Sequence, residues 1–272
     1  MSKQQVKEYY KKDSDFELNR LVKDAFHRLE LDTTLHFMEK YLPKTGHILD
    51  AGGGPGRYTL EMAKRSFSVT HLDISPNFVE CTKKVMAEND LSEFLVDSVE
   101  GDICDLSLFD DNSFDGVLCL GAPLSHVVEA SEREKAVSEL IRVAKPGSYI
   151  FCSIISRLAL LRTVLTDFPE EIRMEIFTKY VQTGDYDGSN GFTACHFFLA
   201  DDLKNLFDRQ DVDFAELVGL EGLSSANPDS VNKLYENDKE AFEIWWQTHL
   251  KLCTHPSVAD TSQHMMIICR KK

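Results

Sequence analysis

Asp50, Gly52, Gly54 and Gly56 form a D-x-G-x-G-x-G run inside "HILDAGGGPGRYTL". Glycines at this spacing behind a short apolar stretch let the backbone close tightly on a ligand. A dinucleotide site would read G-x-G-x-x-G, with amides aimed at pyrophosphate from a helix start. Counted from Gly52, the third glycine of that frame is replaced by Arg57, and Pro55 removes an amide from the middle. The frame that fits leads with a carboxylate. Asp50 and the glycine carbonyls would accept hydrogen bonds from an ammonium group.

A second acid, Asp73, follows "SVTHL", 17 residues past Gly56. A carboxylate there can accept both hydroxyls of a ribose. An ammonium at one end and a ribose at the other suit a nucleoside that carries an amino acid, such as S-adenosylmethionine. Asp73 alone does not separate this ligand from a nicotinamide dinucleotide, since both contain a ribose.

These residues need a scaffold that brings distant turns together. Residues 15 to 41 carry apolar positions at spacings of three and four, a helical stripe. Thr33 or Thr34 is expected to open a second short helix ending near Tyr41. From His47 the pattern alternates. "HILDA", "SVTHLDIS", Phe94 to Val99, Gly116 to Leu120 and "SYIFCSII" read as strands. "RYTLEMAKR", "NFVECTKKVMAEND" and "SEREKAVSELIRVAKPG" read as helices between them. Ser75 with Pro76, and Ser131 with Glu134 as a capping box, are the expected helix starts. This alternation implies a parallel sheet with helices on both faces.

After Ser156 the alternation stops. Residues 157 to 182 read as helical, 182 to 191 as a long turn, and "LADDLKNLFDRQ" and residues 228 to 252 as helices. "DFAELVGLEG" and "HMMIICRK" are late strands suited to an antiparallel pair that ends a seven-stranded sheet.

The ordered segments "ILDAGGGPGRY", "VTHLDIS", "EGDICDLSLFDDNSFDGVLCLGA" and "ELIRVAKPGSYIF" resemble the motifs of class I S-adenosylmethionine-dependent methyltransferases, over about residues 45 to 155. The resemblance implies an α/β fold: a Rossmann-like, seven-stranded, mostly parallel sheet. It further implies an N-terminal helical cover over residues 1–44. The methyltransferase domain would then span 45–272, with a cap inserted at about 157–200 after strand 5. It places Asp50 and Gly52 by the methionine amino group, with Gly54 and Gly56 lining the loop. Asp73, followed by Ile74, would hold the ribose diol. Asp102 would lie near the adenine amino group and Ile103 on the adenine ring. Leu120 and Gly121 would border the transferable methyl.

Many members of this family lay a tyrosine over the cofactor from before the first helix. Tyr10, of the Tyr9–Tyr10 pair, takes that part, since an aromatic face attracts a sulfonium. Arg28 or Arg20 would reach the methionine carboxylate. His126, after "GAPLS", stands where a residue facing the methyl acceptor belongs and is the candidate general base. Tyr180, Tyr186 and His196 are candidates for the acceptor wall. No metal ligand set is apparent.

Composition narrows the partners. The formal net charge is -15, which disfavours nucleic acid, because a phosphate backbone demands a basic face. Gly-Ala-Pro-Leu after the fourth strand also departs from the Asn/Asp-Pro-Pro-Tyr pattern of amino-directed nucleic-acid and glutamine methyltransferases. The seven cysteines include no C-x-x-C pair, as expected of free thiols in a reducing compartment. The first residues lack the apolar core of a signal peptide. No apolar run approaches the ~20 residues of a membrane span. The expectation is a cytoplasmic enzyme, monomer or homodimer, that methylates a small molecule. A non-catalytic S-adenosylmethionine-binding protein and an NAD-dependent oxidoreductase are the alternatives.

Overall fold

The computed structural model describes residues 2–10, 14–189 and 192–272. Three helices come first: α1 (Ser2–Tyr10), α2 (Ser14–Asn19) and α3 (Ala25–Tyr41). The alternating part follows as β1 (His47–Ala51), α4 (Arg57–Ala63), β2 (Ser68–Asp73), α5 (Pro76–Glu88), β3 (Leu95–Glu100), β4 (Phe114–Cys119), α6 (Ala130–Val143) and β5 (Ala144–Ile155). Beyond β5 lie α7 (Arg157–Asp167), α8 (Glu175–Thr183) and a ribbon of β6 (Asp185–Tyr186) with β7 (Cys195–His196). The chain finishes as α9 (Ala200–Asp208), β8 (Val212–Gly219), α10 (Pro228–Asn237), α11 (Lys239–Leu252), α12 (Pro256–Ala259) and β9 (His264–Lys271).

Seven strands form one sheet in the order β3-β2-β1-β4-β5-β9-β8. Strands β1 to β5 pair in parallel, and β9 runs antiparallel between β5 and β8. The expected Rossmann-like sheet is therefore present. Strand β1 is central, with Ile48, Leu49, Asp50 and Ala51 fully buried, and this explains its unbroken apolar reading. Separate apolar layers cover the two faces. One is built on Val137, Leu140 and Phe207, the other on Leu35, Met38 and Phe151.

Local boundaries differ from expectation in several places, among them α6, which ends at Val143 with Lys145-Pro146-Gly147 already in β5. Residues 25–41 form one helix, because Asp24 caps it by accepting from the His27 amide at 2.9 Å. Thr33 and Thr34 lie inside it, where their hydroxyls donate to the carbonyls of Leu220 and Glu30. Helix α6 starts at Ala130, so Ser131 is not its cap, and Glu134 pairs with Arg209 instead. Residues 228–252 divide into two helices at Asp238, whose carboxylate accepts from the Ala241 amide and caps the second. All seven cysteines are free. Among the described residues, no helix is long and apolar enough to cross a membrane.

Candidate active site

A cavity of about 860 Å³ opens at the carboxyl ends of the parallel strands, where an open α/β sheet binds its ligands. The glycine loop between β1 and α4 forms its floor. The amides of Gly52 and Gly53 both donate to the Leu72 carbonyl, tying the loop to β2. Gly52 has φ +72°, and a Cβ there would fall 2.6 Å from Cβ of Pro123. Gly54, at φ +59°, faces open space. Glycine is thus required at Gly52 by both conformation and room, and at Gly54 by conformation.

Beneath the loop, Asp50 is completely buried. Its Oδ2 accepts from the Thr59 hydroxyl at 2.7 Å, and its Oδ1 has no partner. Burial pushes its carboxyl up to about 6. Asp73 stands in the cavity wall at the end of β2 and accepts from the amides of Gly54 (2.9 Å) and Ser75 (2.8 Å). Burial raises it to about 6 as well. His71, which sequence reading passed over, braces this arrangement from behind. Its Nε2 lies 2.9 Å from the Gly54 carbonyl and its Nδ1 2.9 Å from the Ser98 hydroxyl. Burial lowers His71 to about 4, so near neutrality the ring is uncharged. In the tautomer these partners require, Nε2 donates to the carbonyl.

The wall continues along the strand ends. Asp102 accepts from the Cys104 amide at 2.9 Å, a tight turn that presents buried Ile103 to the cavity. Ile74, Leu120 and Gly121 also line it. Asp73, Ile74, Asp102, Ile103, Leu120, Gly121, Gly52 and Gly54 therefore share one wall. Asp50 and Gly56 lie behind the loop, outside the lining.

The rest of the lining comes from the N-terminal helices, residues within 160–186 and 192–197, and the turn after β4. Tyr9 lines the cavity and meets Phe192 edge-on, ring centroids 5.5 Å apart. The Tyr10 side chain falls outside the described residues. Tyr180 and Tyr186 line the cavity and pack with Phe197. The Tyr180 hydroxyl donates to Glu171 at 3.3 Å. His126 also lines it, with Nδ1 3.3 Å from the Ala194 carbonyl, and burial lowers the imidazole to about 4.

Two named residues lie elsewhere. Arg28 is half exposed and pairs with Asp32 one helical turn on, which turns it away from the cavity. His196 is held in the β6–β7 ribbon by Asp185 at 2.6 Å and packs edge-on against Phe198. Burial first, then Arg133, lowers its basicity.

Of Arg20 and Arg28, Arg20 is the one that lines the cavity. It clamps buried Glu30 through two nitrogens, at 2.8 and 3.3 Å. Glu30 continues to His264 at the start of β9, and His264 to Glu221 after β8. All four line the cavity. One signal pointed there: Glu30 interrupts the apolar stripe of α3. Glu221 and His264 lie roughly 200 residues from that helix in sequence, and nothing local marks them.

Comparison with known proteins agrees with this geometry. Residues 48–147 match the family model described as a methyltransferase domain. The ubiquinone biosynthesis O-methyltransferase of Xanthomonas axonopodis pv. citri (strain 306) is 31% identical over 116 residues, 42% of this chain and 45% of that protein. The demethylmenaquinone methyltransferase of Clavibacter sepedonicus is 37% identical over 103 residues, 38% of each chain. The chain thus spans about half or less of the length of the curated relatives it matches. In fold, a protein of Pyrococcus horikoshii OT3 aligns over 98% of this chain and 99% of its own, with TM-score 0.63 and 19% identity. A Methanosarcina mazei protein titled as an S-adenosylmethionine-dependent methyltransferase aligns over 86% and 96%, with TM-score 0.58 and 22% identity. The motif order, the matched domain and the sheet topology agree: residues 48–147 match a methyltransferase domain, set in a fold shared with S-adenosylmethionine-dependent methyltransferases.

Proposed function

We propose that the protein transfers a methyl group from S-adenosylmethionine to a small-molecule acceptor. The carrying observation is the division of one cavity. A wall of glycine loop and carboxylates runs along the strand ends, and aromatic side chains and buried ion pairs line the rest of the cavity. The residues fit the cofactor. The orphaned Oδ1 of Asp50 is an acceptor placed under the loop for the methionine ammonium, reached past Gly52 and Gly54. Gly56 starts α4 behind them. Asp73 has lone pairs left for the ribose hydroxyls, beside Ile74. Asp102 and Ile103 offer a polar edge and an apolar face to adenine. Leu120 and Gly121 border the methyl, and Arg20 replaces Arg28 as the partner for the carboxylate. Tyr10 is kept as the tyrosine laid over the cofactor.

S-adenosylmethionine supplies an activated methyl on a sulfonium, so the protein's main task is alignment and exclusion of water. Residues 1–44 act as a helical cover and about 157–200 as the cap. Tyr180 and Tyr186 form the acceptor wall, and His126 faces the acceptor. His196 supports that wall from behind. The net charge of -15 supports a small-molecule acceptor over nucleic acid. Free, mostly buried thiols support a reducing, cytoplasmic setting.

Titration with S-adenosylmethionine, S-adenosylhomocysteine and NAD tests the cofactor, with the first two binding and NAD not. Incorporation of labelled methyl into a small-molecule extract tests transfer. Tight NAD binding without S-adenosylmethionine binding sinks the reading.

A further inference from the structure

We propose that His264, oriented by Glu221, is the general base of the acceptor chamber, and that the acceptor is a proton-bearing nucleophile, a hydroxyl or an amine. The inference rests on the methyltransferase reading above.

Geometry carries it. His264 Nδ1 lies 2.6 Å from Glu221 Oε1. A carboxylate oxygen accepts, so Nδ1 holds the ring proton and the neutral ring keeps its lone pair on Nε2. Glu221 is itself fixed: its Oε2 accepts from the Ser262 hydroxyl at 3.0 Å and from the His264 amide at 2.9 Å. The His264 side chain keeps 13% of its surface, against 3% for Glu221, and it lines the cavity. A fixed carboxylate, an oriented imidazole and a cavity beside them have the arrangement of a base and its orienting group.

Position supports the role. Arg20 Nη2 lies 4.0 Å from the point a Gly121 Cβ would occupy. Arg20 holds Glu30 at 2.8 Å, and Glu30 Oε2 lies 3.5 Å from His264 Nδ1. The dyad is therefore two ion pairs away from the residue that borders the methyl.

The charges that face the dyad are Glu30 from α3, Glu221, Arg20 and, around Glu221, Arg162 and His249. Burial pulls His264 down, but the two glutamates outweigh it and raise its basicity above that of a free imidazole. His126, lowered to about 4, is the weaker proton acceptor. Glu30, Glu221 and His264 also bring ligand atoms within 4.8 Å of one another. A cation there would have to displace the Arg20 clamp and the shared Nδ1 proton, so the proton is the better occupant.

The step balances. An acceptor O–CH₃ or N–CH₃ bond forms as the S–CH₃ bond breaks, and the S–C electron pair stays on sulfur as the neutral thioether. The acceptor's proton passes to His264 Nε2, so the positive charge leaves sulfur and appears on the imidazole.

The test joins a spectroscopic and a kinetic readout on the full chain. With S-adenosylhomocysteine present, NMR of nitrogen-labelled histidine should show neutral His264 protonated on Nδ1, and Glu221→Gln should lower its titration midpoint. A proton on Nε2, or a midpoint that Glu221→Gln leaves in place, overturns the dyad. Kinetically, labelled S-adenosylmethionine is offered with catechol, tyramine and aniline as probes. His264→Gln should cut kcat at least ~100-fold with S-adenosylhomocysteine affinity unchanged. In the wild type the rate should fall as pH drops through the His264 midpoint, and Glu221→Gln should move that limb to lower pH. An active wild type matched by His264→Gln in rate and pH profile removes the base and leaves methyl transfer standing. A wild type that binds the cofactor yet methylates no probe removes the transfer reading, and the base falls with it.

Discussion

The two ends of the cavity are built differently. The wall proposed to hold the cofactor comes from consecutive turns at the carboxyl ends of β1, β2, β3 and β4, all within residues 50–121. The part of the cavity proposed for the acceptor takes polar groups from α3, the turn after β8 and the first residue of β9, and aromatic groups from the segment after β5. One end is local in sequence and repeats a spacing. The other is assembled by tertiary packing from segments up to roughly 240 residues apart. A ligand shared by many proteins can be held by a spaced motif, whereas an acceptor is met by whatever the covering elements bring.

The contrast breaks first at Gly52. Gly52→Val adds a branched side chain at φ +72°, where a Cβ already meets Pro123 at 2.6 Å. Calorimetry should show S-adenosylmethionine affinity lower by about 100-fold or more, from αL strain plus overpacking. Undiminished affinity in a folded variant would mean that the loop does not touch the cofactor.

Asp73→Ala comes next, with a loss of about 1–3 kcal/mol in cofactor binding. Because Asp73 also accepts the Gly54 amide, Asp73→Asn serves as the control that retains a side-chain acceptor. If alanine binds as well as wild type, Asp73 is a structural cap alone.

A smaller effect follows from pH. Burial pushes the carboxyls of Asp50 and Asp73 up to about 6, above their unfolded value. They are therefore protonated in the folded chain while ionised in the unfolded one between pH ~4 and ~6, and the stability this adds is lost as pH rises through about 6. An ammonium and ribose hydroxyls favour the ionised forms. S-adenosylmethionine should bind several-fold tighter at pH ~7.5 than at pH ~5.5. A flat profile would place both acids away from the ligand.

The gentlest tests touch the chamber alone. Tyr180→Phe removes the hydroxyl bonded to Glu171 and should change cofactor affinity by less than about 0.5 kcal/mol, with any change confined to the acceptor's KM. His126→Ala should likewise leave cofactor binding intact. Weakened cofactor binding in either variant would show that the two ends are not separable.

Legibility in the sequence follows the same division. The sheet, the glycine loop and Asp73, Ile74, Asp102 and Ile103 could be read because strand-to-helix alternation and fixed spacing are local properties. Helix starts were less legible. Ser131 has the right neighbours for a capping box, yet α6 begins one residue earlier. Arg28 and Arg20 both lie on N-terminal helical turns with similar neighbours, and only packing against Glu30 separates them. His71 looked like any strand residue, although it braces Gly54. His264 and Glu221 owe their meeting to β9 lying between β5 and β8, an order that no short segment encodes.

The segment that follows β5 leaves and returns at one place. The Phe198 amide donates to the Ile155 carbonyl at 3.0 Å, and the Arg157 amide donates to the Phe198 carbonyl at 2.8 Å. Arg157 adds bonds to the carbonyl of Phe197 and the carboxylate of Asp202. The insertion is thus a closed loop with its own small core, stitched at its neck. Its length can change with little entropic cost, since loop closure grows only logarithmically with chain length. Under the proposed function, exchange of this segment, cut at Ser156 and Leu199, would give the scaffold a new acceptor while keeping its methyl donor.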